Sequence, residues 1–119
     1  MSTQVATDLR AAADVLERDG WTQGKFHRRA DETRICHCAE GAIAVATGRH
    51  IDVRVDPISL GEVDWRPNLD AAPRHWDALD ALAAAVDGRN VPSWNDTPGR
   101  TADEVIAALR AAADATEQA

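Results

Sequence analysis

Apolar side chains recur at three- and four-residue spacing in four segments of the chain, which predicts a mainly α fold of about four helices. The predicted helices cover residues 3–19, about 36 or 38 to 47, about 73–86, and 101 onward. In the third helix, Trp76 shares the apolar face with Leu79 and Leu82, so we expect it to be buried. We expect one compact domain over residues 1–119, with a frayed tail at 115–119.

Local signals mark the ends of the first and last helices. Gly20 follows the last apolar position of the first helix, where a left-handed residue commonly ends a helix. Asp8 lies near the start of that helix, where a carboxylate matches the helix dipole. Thr101 and Glu104 have the spacing of a capping box, in which each side chain bonds the backbone N–H of the other residue.

Two structured connections separate the helices. Residues 21–35 lose the helical period and predict a loop or a short irregular hairpin, anchored in the core by Trp21 and Phe26. Apolar and charged residues alternate from 51 to 55, which is the pattern of a half-buried strand. These residues could form a short strand pair with the extended segment 91–94.

The composition argues against a nucleic-acid-binding protein and against a membrane protein. The 119 residues include 20 acidic and 13 basic side chains, a net charge of -7, so we expect no nucleic-acid partner. No apolar run approaches the roughly 20 residues that span a bilayer, and the N-terminus has no signal-peptide pattern. We therefore expect a cytoplasmic protein with no membrane partner, whose two cysteines are reduced thiols.

The string Cys36-His37-Cys38 suggests a metal site as one alternative. Such a site would join the thiolates of Cys36 and Cys38 with a histidine at 27, 50 or 75. The spacing argues against it, because structural zinc sites use cysteines with two to four residues between them, and the chain has no second pair. We expect neither a metal nor another cofactor.

A cysteine-dependent hydrolase is the other alternative. Cys38 would lie at a helix N-terminus, which favours a thiolate, with His50 or His75 as base and Asn95 or Asp96 as the orienting group. The order Cys38, His75, Asn95 is that of papain-like enzymes, but their strand framework is missing. If Cys38 is instead a small buried residue, the Cys38→Ser substitution should destabilise the fold.

Two segments are candidate binding surfaces. Trp94, Asn95 and Asp96 would form a polar pocket, unless Trp94 fills the core and the two polar side chains bond the backbone of the following turn. Arg28 and Arg29 lie in a basic loop of an acidic protein, which is either a solvated loop or a docking patch for an acidic partner.

The strings CAEGAIAVATG and VPSWNDTPGRTADEVIAALRAAAD, with the Gly20-Trp21 step, resemble a family of small uncharacterised proteins from actinobacteria and their phages. The motifs are Cys-x-x-Gly-Ala from Cys38 and Trp-Asn-Asp-x-Pro-Gly-Arg-Thr from Trp94. His37 stands where members often have an aromatic residue, and residues 49–70 do not follow the pattern. The resemblance implies an intracellular protein of an actinobacterium or actinophage and supplies no reaction.

The residues therefore favour a protein that is not an enzyme. We expect a small intracellular accessory protein, a phage or mobile-element factor that modulates a host protein through protein–protein contact. The alternative is the hydrolase that uses Cys38. The molecular target, the oligomeric state and the structure of residues 49–67 stay open at this point.

Overall fold

The computed structural model describes residues 3–25, 27–31, 34–48, 50–52, 64–66, 72–86, 88 and 90–118. The elements in these ranges are α1 (Thr3–Asp19), β1 (His27–Arg29), β2 (Ile35–His37), α2 (Ala39–Ala46), β3 (His50–Asp52), β4 (Asp64–Arg66), α3 (Ala72–Ala85), α4 (Val91–Asn95) and α5 (Ala102–Gln118). The mainly α fold is confirmed, with one short helix more than expected. None of these helices has both the length and the apolarity needed to cross a bilayer.

The helices enclose a core of branched side chains separated by alanines. α1 packs against α2, α3 and α5, and α5 also contacts α3. The largest fully buried apolar side chains are those of Leu9, Ile43, Leu82, Leu109 and Val105. Alanines such as Ala12, Ala42 and Ala112 belong to the same buried cluster. Because an alanine projects only a methyl group, the core can reach close packing with few large side chains.

α1 ends at Asp19, and Gly20 follows it as the left-handed residue, as predicted. The Gly20 N–H donates to the Leu16 carbonyl at 2.9 Å, and Gly20 has a left-handed φ of 102°. A Cβ atom at this position would lie 2.9 Å from Cys36 Sγ. Glycine is therefore required twice, by the backbone conformation that ends α1 and by the close approach of the Cys36 side chain.

The capping box at the start of α5 is also confirmed. The Glu104 N–H donates to Thr101 Oγ1 at 3.2 Å, and the Thr101 N–H donates to Glu104 Oε1 at 3.2 Å. At its other end, α5 continues to Gln118, through most of the tail that was expected to fray. Glu117 in this last turn forms an ion pair with Arg10 of α1, which ties the two helices together.

Residues 21–37 contain a hairpin, one of the two structures predicted for the first connection. β1 and β2 pair antiparallel, with His27 opposite His37. Trp21 forms an isolated bridge with His37, so the hairpin is fastened to the chain that leaves α1. Trp21 is half-buried and packs against the core, as expected. Phe26, the other expected anchor, lies outside the described residues.

The second helix starts later than one of its two predicted boundaries. Cys36 and His37 are strand residues in β2, and α2 begins at Ala39 with Cys38 as its N-cap. The hairpin pairing extends the chain up to His37, so the helix starts only after the strand ends. The start predicted near Cys38 is therefore the correct one.

The predicted strand pair of 51–55 with 91–94 is wrong. β3 pairs antiparallel with β4, and residues 91–95 form α4. The Asn90 side chain caps α4 by accepting from the Ser93 N–H at 3.1 Å, and Pro92 lies in the first turn, where its missing N–H costs nothing. The cap outweighs the extended preference of the residue before a proline. The rest of the 51–55 segment lies outside the described residues.

The buried face of α3 differs from the predicted one. Trp76 was expected in the core, but it is 52% exposed. His75 is buried instead, on one face with Ala78, Leu82 and Val86. These four positions follow each other at intervals of three and four residues, and Trp76 is rotated about 100° away from His75 around the helix axis.

An ion pair between the buried Asp8 carboxylate and the exposed Arg74 guanidinium joins α1 to α3. Asp8 is buried in the middle of α1 and does not lie in the first turn, so its expected role at the helix dipole is wrong. Arg74 binds it through two hydrogen bonds, from Nε to Oδ2 at 3.1 Å and from NH2 to Oδ1 at 2.6 Å. Gln4 donates to Oδ1 at 3.0 Å. The carboxylate is thus neutralised and bonded inside the fold.

Candidate functional site

A buried asparagine at the end of α4 joins three segments of the chain. The Asn95 side chain is 0% exposed. Its Oδ1 accepts from the indole Nε1 of Trp21 at 2.7 Å and from the Ala39 N–H at 2.9 Å. Its Nδ2 donates to the Thr22 carbonyl at 3.1 Å and to Asp96 Oδ1 at 3.0 Å. We call Asn95, Trp21, Thr22, Ala39 and Asp96 the Asn95 hub.

Further hydrogen bonds fasten the first connection to the turn after α4. Gln23 Nε2 donates to the Asn95 carbonyl at 3.0 Å and to the Thr97 carbonyl at 3.1 Å. The Gly24 N–H donates to Asp96 Oδ1 at 2.9 Å. Asn95 and Asp96 thus bond the chain more than 70 residues away, whereas the sequence predicted bonds within their own turn.

A shallow pocket of about 100 Å³ lies beside the Asn95 hub. Its lining residues are Gly24, Lys25, Cys38, Pro92 and Asp96. Of the residues predicted to form a polar pocket, only Asp96 contributes to the lining. Asn95 lies behind it, with its amide already bonded on both sides.

Trp94 fills the core and does not form the wall of this pocket. It is 7% exposed and belongs to the main buried cluster. The guanidinium carbon of Arg100 lies 4.4 Å from the centre of the indole ring, and Arg100 Nε donates to the Trp94 carbonyl at 3.2 Å. This cation–π contact covers the outer side of the indole.

Cys38 is a buried helix cap. Its Sγ accepts from the Gly41 N–H at 3.3 Å, and the side chain is 4% exposed. Burial raises the pKa of the Cys38 thiol to about 11, and the nearby carboxylates of Glu40 and Asp96 act in the same direction. The N–H bonds at the helix start oppose this but do not outweigh it. At neutral pH the group is therefore a thiol and not a thiolate nucleophile.

The three residues of the predicted hydrolase are only partly brought together. Cys38 and Asn95 flank Ala39, whose N–H bonds Asn95. His75 lies against Glu40, with 3.5 Å between Nε2 and Oε1, and neither of its ring nitrogens forms a hydrogen bond. In the described hydrogen bonds, the Cys38 thiol meets a backbone amide and no imidazole.

Arg28 and Arg29 lie on β1, as part of the hairpin. Arg28 is exposed and stands opposite Cys36 in the pairing, and Arg29 is half-buried opposite Ile35. Arg34, before β2, is exposed and pairs with Asp31. Arg28 and Arg34 are therefore on the solvent side of the hairpin, where either a solvated loop or a docking patch would place them, whereas Arg29 lies on the opposite face of the strand.

The thiols do not form part of a metal centre within the described residues. Cys36 Sγ donates to the Asp19 carbonyl at 3.4 Å, whereas Cys38 Sγ caps α2. In the ranges that the structure describes, no three side chains of His, Cys, Asp or Glu are grouped as metal ligands.

The two buried histidines of the hairpin belong to a polar array that the sequence pattern does not predict. His27 Nδ1 and His37 Nδ1 are 2.8 Å apart, and both rings are almost fully buried. His37 Nε2 is 3.1 Å from Asp19 Oδ2, and Arg18 holds the Asp19 carboxylate through two hydrogen bonds of 2.8 Å. We call these four residues the histidine array. Only the strand register brings the two histidines together, and the sequence does not specify that register.

Substitutions of Cys38 should separate its capping role from a chemical one. Cys38→Ala should lower the free energy of unfolding by about 1 kcal/mol, because the Gly41 N–H loses its acceptor. Cys38→Ser should be nearly neutral, contrary to the expectation from sequence, since a serine hydroxyl is a preferred N-cap acceptor. Denaturant titration of both variants measures the difference.

Alkylation tests the same site chemically. In a Cys36→Ser background, iodoacetamide at pH 7 should modify Cys38 at least tenfold more slowly in the folded protein than in denaturant, because the thiol is buried and protonated. Mass spectrometry of the modified protein gives both rates. Equal rates in the two states would contradict the buried cap and favour the hydrolase.

Comparison with known proteins assigns the chain to a family by its sequence. No curated protein and no solved structure matches it significantly. A family model matches residues 1–115, almost the whole chain. The chain therefore belongs to DUF6197, a family of unknown function.

Proposed function

We propose that this protein is a small intracellular accessory protein that acts by binding another protein, through a surface centred on Trp76. The observation that carries the proposal is the exposure of this indole. Trp76 is 52% exposed and is the large apolar side chain that the described part of the molecule leaves on its surface. Exposed tryptophans are enriched among the residues that dominate binding energy at protein interfaces.

The neighbours of Trp76 indicate the chemistry of the partner. Asp77 and Asp80 are exposed on α3 next to it, whereas Arg74 is engaged by Asp8. The whole chain carries a net charge of -7. A partner segment with an apolar side chain and one or more basic side chains would therefore match this surface, with the indole as the apolar anchor.

The position of Trp76 on a rigid element supports a binding role. α3 is held to α1 by the Asp8–Arg74 ion pair and to the core by Ala78 and Leu82. The indole also makes an edge-to-face contact with the buried His75 ring, at 5.1 Å between centroids. A preorganised side chain loses little entropy on binding, so such an anchor can contribute most of its buried area to affinity.

The sequence indicates the biological setting in which this protein would act. The resemblance to proteins of actinobacteria and their phages favours a phage or mobile-element factor that modulates a host protein in the cytoplasm. Two unpaired cysteines agree with a reducing compartment.

Peptide selection tests the Trp76 surface without a known partner. A displayed library of random short peptides is selected against the wild-type protein, and the enriched peptides are synthesised and titrated. We expect peptides with basic and apolar side chains that bind the Trp76→Ala variant at least tenfold more weakly than the wild type, about 1.4 kcal/mol. Arg28→Ala, on the exposed side of the hairpin, is the matched control and should leave binding unchanged. Peptides that bind the Trp76→Ala variant as tightly as the wild type would contradict the proposal.

A further inference from the structure

The histidine array, with its two buried imidazoles, is a polar system that the proposed binding surface does not use. The rings of His27 and His37 meet edge to face, with 5.1 Å between centroids and 84° between planes. His27 is 4% exposed and His37 is 2% exposed. The array connects the end of α1 to both strands of the hairpin, because Asp19 belongs to α1, His27 to β1 and His37 to β2.

The partners of the array fix where its protons lie. Arg18 lowers the pKa of the Asp19 carboxyl, so this group is an anion that can only accept a hydrogen bond. His37 Nε2 must therefore carry the hydrogen that points to Asp19 Oδ2. In a neutral His37 ring, Nδ1 then has a lone pair, and His27 Nδ1–H donates to it.

This arrangement accommodates one proton between the two Nδ1 atoms and no more. If both imidazoles were protonated, two N–H groups would face each other across 2.8 Å, and two buried cations would lie about 5 Å apart. Among the described residues, the charged groups that act on the His37 imidazole are Asp19 and Arg18 of α1. Asp19 favours a proton on His37, and Arg18 opposes it.

We propose that the histidine array is an acid-sensitive latch, which holds the β1–β2 hairpin against the end of α1 and lets the hairpin open locally when both imidazoles take up protons. Two backbone bonds cross the latch beside the array, from the His37 N–H to the Gly20 carbonyl and from the Thr22 N–H to the His37 carbonyl, both at 3.0 Å. The hairpin with Arg28 and Arg29 would move away from α1 when the latch opens.

The direction of the pH effect follows from the two imidazoles. Burial lowers the pKa of His27 to about 4, with a smaller contribution from the charge of His37, and burial also lowers the pKa of His37. In the open hairpin both should titrate near the ordinary 6.5. The open state therefore binds more protons below pH 6.5, and the stabilisation present above pH 6.5 is lost as the pH falls towards 4. From His27 alone, the opening equilibrium should rise about twentyfold between pH 7 and pH 5.

Amide hydrogen exchange on the full chain measures this opening. The protection factors of the Thr22 and His37 amides report on the hairpin, and that of the Leu109 amide in the middle of α5 reports on global unfolding. We expect the Thr22 and His37 amides to be less protected than Leu109, and their protection to fall at least tenfold between pH 7 and pH 5. Hairpin protection equal to that of Leu109 at both pH values, or a fall of less than threefold, would overturn the latch.

Two variants and one spectrum make the test specific. His27→Phe keeps a ring against His37 without a titrating group, so most of the pH response should disappear. His75→Gln replaces a buried histidine outside the array and should keep the response. Nitrogen NMR of the wild-type imidazoles at pH 7 should show the Nε2–H tautomer for His37 and the Nδ1–H tautomer for His27. A full response in His27→Phe, or the same tautomer in both rings, would contradict the proposal.

Discussion

Replacing Asn95 with alanine should lower the free energy of unfolding by about 3 kcal/mol or more. The substitution leaves Trp21 Nε1, the Ala39 N–H and the Thr22 carbonyl without their partner. A buried polar group that loses its partner costs about 1–3 kcal/mol, and the three losses are not fully additive because the site can relax. Denaturant titration followed by tryptophan fluorescence measures the loss of stability.

Two further variants control this prediction. Asn90→Ala removes an asparagine of α4 whose side chain caps the helix at the surface, and it should cost only about 1 kcal/mol. Asn95→Asp keeps the acceptor oxygen but places a second carboxylate next to that of Asp96, whose Oδ1 lies 3.0 Å from Asn95 Nδ2 in the wild type. Because the two carboxylates repel each other, the loss of stability of this variant relative to the wild type should be smaller at pH 4 than at pH 7. An Asn95→Ala variant no less stable than Asn90→Ala would contradict the hub.

Replacing Arg74 with methionine should cost about 2–3 kcal/mol. The carboxylate of Asp8 is buried and would lose both of its Arg74 hydrogen bonds, which leaves an uncompensated charge between α1 and α3. Arg28→Met, at an exposed position with no ion pair in the described part of the chain, should change stability by less than about 0.5 kcal/mol. Chemical denaturation of both variants provides the comparison.

The double variant Asp8→Leu with Arg74→Met separates the charge from the packing. It replaces both partners with apolar side chains of similar size, so it should recover at least half of the loss seen in Arg74→Met. A double variant that is less stable than Arg74→Met would show that the ion pair itself, and not the cost of an orphaned carboxylate, stabilises the contact between the two helices.

Signals confined to a few consecutive residues predicted the fold well. The capping box of Thr101 and Glu104 and the helix end at Gly20 need only neighbouring residues, and both appear in the structure as predicted. The local rule for a residue before proline failed at Val91, because another local group, the Asn90 side chain, caps a helix there. Local patterns therefore located most helices, and competing local patterns explain the error at α4.

The buried face of α3 and the candidate site depend on contacts that the sequence does not display. His75 and Trp76 are adjacent, so either could have faced the core, and packing of α3 against its neighbours decides for His75. Asn95 resembled a turn residue because its partners, Trp21 and Ala39, are 74 and 56 residues away. The histidine array likewise needs a strand register before it exists.

The long separations within the Asn95 hub have a consequence for folding kinetics. Its bonds to Trp21 and Thr22 close a loop of more than 70 residues, so chain entropy opposes their formation until α1 and α5 have brought the two ends of the chain together. Contacts that form after the rate-limiting step slow unfolding more than they speed folding. The hub should therefore act mainly on the lifetime of the native state, because its bonds form late in folding and break early in unfolding.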